Sequence, residues 1–133
     1  MRYAAFLILV LTAIAACSTP AGDRETLEQS IKLYNSMLQW QETNNASLFV
    51  AAKQLNDFIA AADAAKNKRI VEARPRITMF DEMKKEAEVR VEFDYYHKTD
   101  NKLRTAVDVQ KWVFVTEGKE AHWKLASPYP VLP

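Results

Sequence analysis

The stretch Glu86–His97, EAEVRVEFDYYH, alternates almost without error. Ala87, Val89, Val91, Phe93 and Tyr95 share one parity, while Glu86, Glu88, Arg90, Glu92 and Asp94 hold the other. Successive side chains of an extended chain point to opposite faces, so this is a strand with one face in a core and one in water. Its neighbours are also strand-like, being rich in valine and aromatic residues. Residues 70–80, IVEARPRITMF, form a preceding strand in which Pro75 cannot donate a ladder hydrogen bond, which predicts an edge position or a bulge. KTDNK turns the chain into a third strand from Leu103 to Val115. EGKE, with Gly118, turns it into a short last strand, AHWKLAS, stopped by Pro128, Pro130 and Pro133.

The third strand does not keep one phase. Val107, Val109, Val113 and Val115 share a parity, and Trp112 and Phe114 take the other. Either both faces are covered, which predicts a central strand, or a bulge intervenes.

Upstream the period changes. Leu27, Ile31, Tyr34 and Leu38 recur at helical spacing and predict an amphipathic helix over Glu25–Gln41. ETNN is read as a break. Leu48, Ala52, Leu55, Ile59 and Ala62, with Phe58 beside them, predict a second helix ending near Asn67. Helices followed by antiparallel strands give an α+β domain: two N-terminal helices packed on a curved, mainly antiparallel four-stranded sheet, cone-like in shape.

The N-terminus carries a different message. A short Met1-Arg2-Tyr3 region precedes an apolar segment, Ala4–Ala16, of about a dozen residues, against about 20 for a spanning helix. This reads as a secretory signal over residues 1–16. Ile14-Ala15-Ala16-Cys17 resembles the lipobox of bacterial lipoproteins. That resemblance implies cleavage before Cys17 and lipid on its sulfur and amine. Cys17 is the chain's one cysteine, so it has no disulfide partner within the chain, and a free thiol in an oxidising compartment would be a liability. Several acyl chains would hold the protein on a membrane without a spanning helix. Ser18 stands where lipoproteins retained at the inner membrane often carry Asp, so the resemblance implies the outer membrane, facing the periplasm. Residues 17–24, ending STPAGDR, are read as the lipidated cysteine and a flexible tether, and residues 25–133 as one domain.

Removing 16 of 133 residues leaves 117, enough for a single core. The mature chain carries 17 basic and 17 acidic side chains. That balance excludes a nucleic-acid partner, which calls for a basic face.

The order of helices and strands, with AEVRVEF, AVDVQKWVFV and HWKLASPYP, looks like the nuclear-transport-factor-2-like superfamily, also called cystatin-like or ketosteroid-isomerase-like. Trp112, Gly118 and Trp123-Lys124-Leu125 match its closing aromatic hairpin. Pro75 and the long second helix depart from it. Enzymes of this superfamily, such as ketosteroid isomerase and scytalone dehydratase, work in the cone between helix and sheet. Other relatives are assembly factors of periplasmic secretion machinery that dimerise through the sheet.

Asp94, Tyr95, Tyr96 and His97 are the local candidates for acid–base chemistry. Tyr95 and His97 share the apolar parity, but Tyr95 is expected to fill the core and His97 to close the strand, so no catalytic residue is assigned. His122 is expected on a strand surface. Two distant histidines and a lipidated cysteine leave no metal site, and the glycines Gly22 and Gly118 form no phosphate loop, so no cofactor is expected. Tyr34, Phe58, Tyr95, His97 and Trp112 are the residues expected to line a ligand pocket, and Trp40 is a further candidate for a contact. The function expected is a membrane-anchored envelope lipoprotein whose domain binds a protein partner or a small apolar ligand, with a homodimer formed through the sheet. The alternatives are an isomerase, dehydratase or cyclase-like enzyme using the cone, and a toxin-immunity lipoprotein.

Overall fold

The computed structural model describes residues 22–133; the signal segment, Cys17 and the tether up to residue 21 lie outside the described residues. Helix α1 spans Arg24–Gln39, and its N-terminus is capped by the Asp23 carboxylate, which accepts from the Thr26 amide at 2.8 Å. Within the described residues, Gly22 already packs on the domain. Gly22 sits against the Phe114 ring, and a Cβ there would lie 2.6 Å from the ring. Gly22→Ala is therefore expected to cost about 1–3 kcal/mol by overpacking. Urea denaturation checks this, and a loss below about 0.5 kcal/mol would mean that Phe114 gives way freely.

The α1 stripe is as expected: Leu27, Ile31, Tyr34 and Leu38 are buried. The helix stops two residues early because Gln41 adopts φ 57° and the Glu42 amide donates back to the Met37 carbonyl at 2.9 Å. That six-residue closure satisfies orphan carbonyls at a helix end.

The second helical region departs from expectation. The break expected at ETNN comes slightly earlier, at residues 40–42, and Thr43–Ser47 form a short helix, α2. The expected single helix is interrupted, giving a 3₁₀ turn at Ala52–Gln54 and helix α3 at Leu55–Ala64. The cause is tertiary: Leu125 donates to the Phe49 carbonyl at 2.6 Å and Ala51 donates to the Leu125 carbonyl at 2.8 Å, which holds Val50 extended as a bridge to the sheet. The predicted stripe is correspondingly split. Phe58 and Ala62 are buried, whereas Leu48 and Ile59 are exposed.

Four strands follow in an antiparallel meander: β1 (Lys68–Asp81), β2 (Glu86–His97), β3 (Arg104–Glu117) and β4 (Glu120–Leu125). The domain is α+β, with α1 laid on one face of the sheet. That is the fold class expected from helices followed by antiparallel strands. Pro75 lies on the edge strand β1, opposite Val91, with register shifts on both sides of it, at Ile70/Glu72 and Ile77/Met79. The inward row of β2 is Ala87, Val89, Val91, Phe93 and Tyr95, as its alternation predicts.

On β3 the inward parity is the one that carries Trp112, not the valines. Val107 and Val109 are 46% and 44% exposed, while Gln110 and Trp112 are fully buried. Pairing with β2 runs unbroken from Glu86↔Val113 to Tyr95↔Arg104, so no bulge reconciles the two rows. Trp112 faces inward because it pairs with Ala87, and Gln110 because it pairs with Val89. β3 is an interior strand, but β4 pairs with it over Trp112–Glu117 alone. Beyond that point the C-terminal segment takes over. Ala126 donates to the Lys111 carbonyl at 2.7 Å, and Lys111 donates to the Ser127 hydroxyl at 3.1 Å.

Candidate functional site

The cone interior is filled from within. Tyr34 on α1 is its hub, its ring centroid 5.6 Å from Trp112 and 6.2 Å from Phe58, with Phe49 at 6.4 Å. Three of the four aromatic residues expected to converge therefore do so. Tyr95 is buried too, but its ring neighbour is His97, at 6.1 Å.

The C-terminal segment closes the mouth. Tyr129 stacks edge-on against Phe58 with centroids 5.4 Å apart, and Leu132 is buried in the core. The Lys68 ammonium donates to the Leu132 carbonyl, and the Tyr95 hydroxyl donates to the Pro133 carbonyl. His97 Nε2 lies 3.0 Å from that same carbonyl oxygen. Among the described residues no carboxylate hydrogen-bonds His97.

A polar pair spans the core beneath the rings. The Gln110 amide donates to Asn35 Oδ1 at 2.8 Å, and the Trp112 indole N–H donates to Gln110 Oε1 at 3.1 Å. Asn35 also donates to the Ile31 carbonyl at 2.8 Å. Each of these buried groups finds a partner, as burial requires. Two other buried atoms, the Tyr34 hydroxyl and Asp108 Oδ2, have no hydrogen bond. Burial pushes the Asp108 carboxyl up to about 6, against an amide contact from Val109 that lowers it. The Tyr34 hydroxyl is raised well above its ordinary value, by burial above all and then by the charges of Asp108 and Tyr129.

Sequence reading missed Asn35, Asp108 and Gln110. For the two β3 residues the signal was present, since both share the parity of Trp112 and Phe114 in AVDVQKWVFV. The mixed parity left open whether both faces were covered or a bulge intervened, so these polar residues were not singled out.

The remaining candidates lie outside. Asp94 faces outward, where Arg74 grips it through two hydrogen bonds of 2.6 and 3.0 Å and Thr105 donates at 2.8 Å. Those contacts hold its carboxyl down to about 2. Tyr96 is half-buried beside it on β2. His122 is an exposed strand residue, as expected, 3.3 Å from Glu120. Trp40 is exposed at the end of α1 with the Arg69 guanidinium 5.9 Å from its ring centroid. Among the described residues no group of three His, Cys, Asp or Glu side chains is placed to hold a metal ion, and no helix is long and apolar enough to cross a membrane.

A wide concavity lies elsewhere. A groove of about 700 Å³ runs between α1 and β4, walled by Leu33, Met37, Leu48, Phe49, Phe114 and Trp123. Trp123 is fixed there by its indole N–H, which donates to the Thr26 hydroxyl at 3.1 Å. A second concavity of about 380 Å³, between the end of α1, α3 and β1, is lined by Lys66, Lys68 and Lys98 as well as Ile59 and Tyr129.

No protein-family model and no curated protein matches the sequence. Among solved structures, the chain is similar to a SEC-C motif containing protein from Psychrobacter arcticus, with TM-score 0.55, 18% identity, and coverage of 82% of this chain and 63% of that one. It is also similar to a SnoaL-like polyketide cyclase from Mesorhizobium loti, with TM-score 0.46, 10% identity, and coverage of 77% of this chain and 99% of that one. At these identities the likeness is one of fold.

Proposed function

We propose that the protein is a lipoprotein of the bacterial envelope, held through Cys17 on the outer membrane and facing the periplasm, whose domain binds a partner protein or a small apolar ligand. The observation that supports binding over catalysis is the closure of the cone. Tyr34, Phe58 and Trp112 fill it, and the segment ending at Pro133 covers its mouth, whereas the groove between α1 and β4 is open, its wall combining Leu33, Phe49, Phe114 and Trp123 with polar groups such as Gln29, Asn45 and Glu117. An apolar concavity with a few polar groups on its rim is the usual form of a ligand site. A second copy would meet the domain across the outer sheet face, where Val107 and Val109 are exposed.

One observation favours an enzyme instead: Asp108, its Oδ2 unpartnered beside the core, has the raised carboxyl that general acid–base chemistry uses. An environment-sensitive apolar dye separates the two readings. Leu33→Asp and Leu48→Asp are expected to weaken dye binding at least about tenfold, because a bound apolar dye would have to strip water from the new carboxylate. Asp108→Asn is expected to leave dye binding unchanged. Loss of binding in Asp108→Asn with no effect of the groove variants would favour the enzyme. For the anchor, Cys17→Ser is expected to abolish incorporation of radiolabelled palmitate. Equal labelling of mutant and wild type would refute it.

A further inference from the structure

The hairpin joining β1 to β2 ends in Glu82-Met83-Lys84-Lys85, and Met83 is 93% exposed, far beyond any other large apolar side chain at this end of the sheet. The tip is held rigid. Asp81 Oδ1 accepts from the Met83 and Lys84 amides at 3.1 and 2.9 Å, and Lys85 adopts φ 55°. The chain enters the domain at the same place: the Lys85 ammonium lies 3.5 Å from the Gly22 carbonyl, Phe114 donates to the Lys85 carbonyl at 3.0 Å, and Gly22 rests on the Phe114 ring.

Five residue steps separate Cys17 from Gly22, a reach of at most about 18 Å even when fully extended. A headgroup layer is roughly 5–8 Å deep on each side of a bilayer. A lipid on Cys17 would thus bring the Gly22 end of the domain onto or just above the membrane surface. There the apolar Met83 stands between water and acyl chains with the exposed Lys84 beside it, while the Lys85 ammonium turns to Gly22 and Asp81, Glu82 and Glu86 place three carboxylates around the tip.

We propose that the β1–β2 hairpin tip docks on the phospholipid surface, Met83 entering the headgroup layer and Lys84 meeting a lipid phosphate. Arginine and lysine stems with apolar neighbours take this position at interfaces by keeping the charge among headgroups. The docking fixes the domain's orientation: α1 and the groove beside β4 rise from the membrane, and the turn at Lys98–Leu103 points away from it. The proposal rests on lipidation at Cys17.

The test uses the full lipidated chain in vesicles of phosphatidylethanolamine and phosphatidylglycerol. Once Cys17 carries lipid on its sulfur, a cysteine introduced by Met83→Cys, or by Lys102→Cys at the far end, is the one reactive thiol. A fluorophore at position 83 should be quenched by nitroxide-bearing lipids at least about twofold more than one at position 102. One thiol per chain with equal quenching at both positions would overturn the docking and leave the anchor standing. Two reactive thiols per chain would show Cys17 unmodified and overturn the anchor and the docking together.

Discussion

Trp112→Ala should remove about 4 kcal/mol of stability, a large share of the roughly 5–15 kcal/mol that holds a domain of this size together. The indole is fully buried, at the junction of Tyr34 and Phe49, with centroids 5.6 and 6.4 Å away. Truncation would leave a cavity walled by rings that cannot collapse into it. The same change strips Gln110 Oε1 of its indole donor, held at 3.1 Å in a site without water access from the sheet. Trp112→Phe separates the two effects. It keeps most of the ring area, loses the N–H, and should cost about 1–2 kcal/mol beyond its volume change. Chemical denaturation of both variants measures the difference. A loss below about 1.5 kcal/mol for the alanine variant would mean that the cone is not the centre of the core.

Stability should fall as pH rises from about 4 to about 6, by up to about 3 kcal/mol, because of Asp108. Its carboxyl titrates near 6 in the fold against 3.8 in an unfolded chain, and each pH unit of difference corresponds to about 1.4 kcal/mol. The native state therefore holds a proton in this interval that the unfolded state has released, and the slope of stability with pH is negative. Below 3.8 both states are protonated and the favourable neutral form persists; above 6 the buried charge is carried in full. Asp94 and Asp100 do not mask the effect. Both are held below their ordinary value, by Arg74 and Arg104 respectively, so their contribution is present above 3.8 and lost at lower pH. Asp108→Asn should flatten the profile between pH 4 and 6 and raise the melting temperature at pH 7. Melting curves across that range decide it, and a wild-type profile without slope would place Asp108 in water.

Much of this molecule can be read from its sequence, and the parts that can share one cause. Where one face of an element meets the core and the other meets water, side-chain period reports the element. Glu86–His97 shows it for β2 and Leu27–Leu38 for α1. Pro75 marked the edge strand because a missing donor is a local fact. What the tertiary structure alone decided lies where local pattern and global pairing disagree. Val50 left its helix because its neighbours' backbone groups were taken by Leu125, far along the chain. The four valines of β3 advertise a buried row, yet Val107 and Val109 face outward, because register with β2 puts Trp112 opposite Ala87 and a strand cannot turn one residue inward without turning its whole parity. Gln110 was carried into the core and Asp108 to its edge by that same constraint, which is why these polar groups were hidden from a reading of hydrophobicity alone.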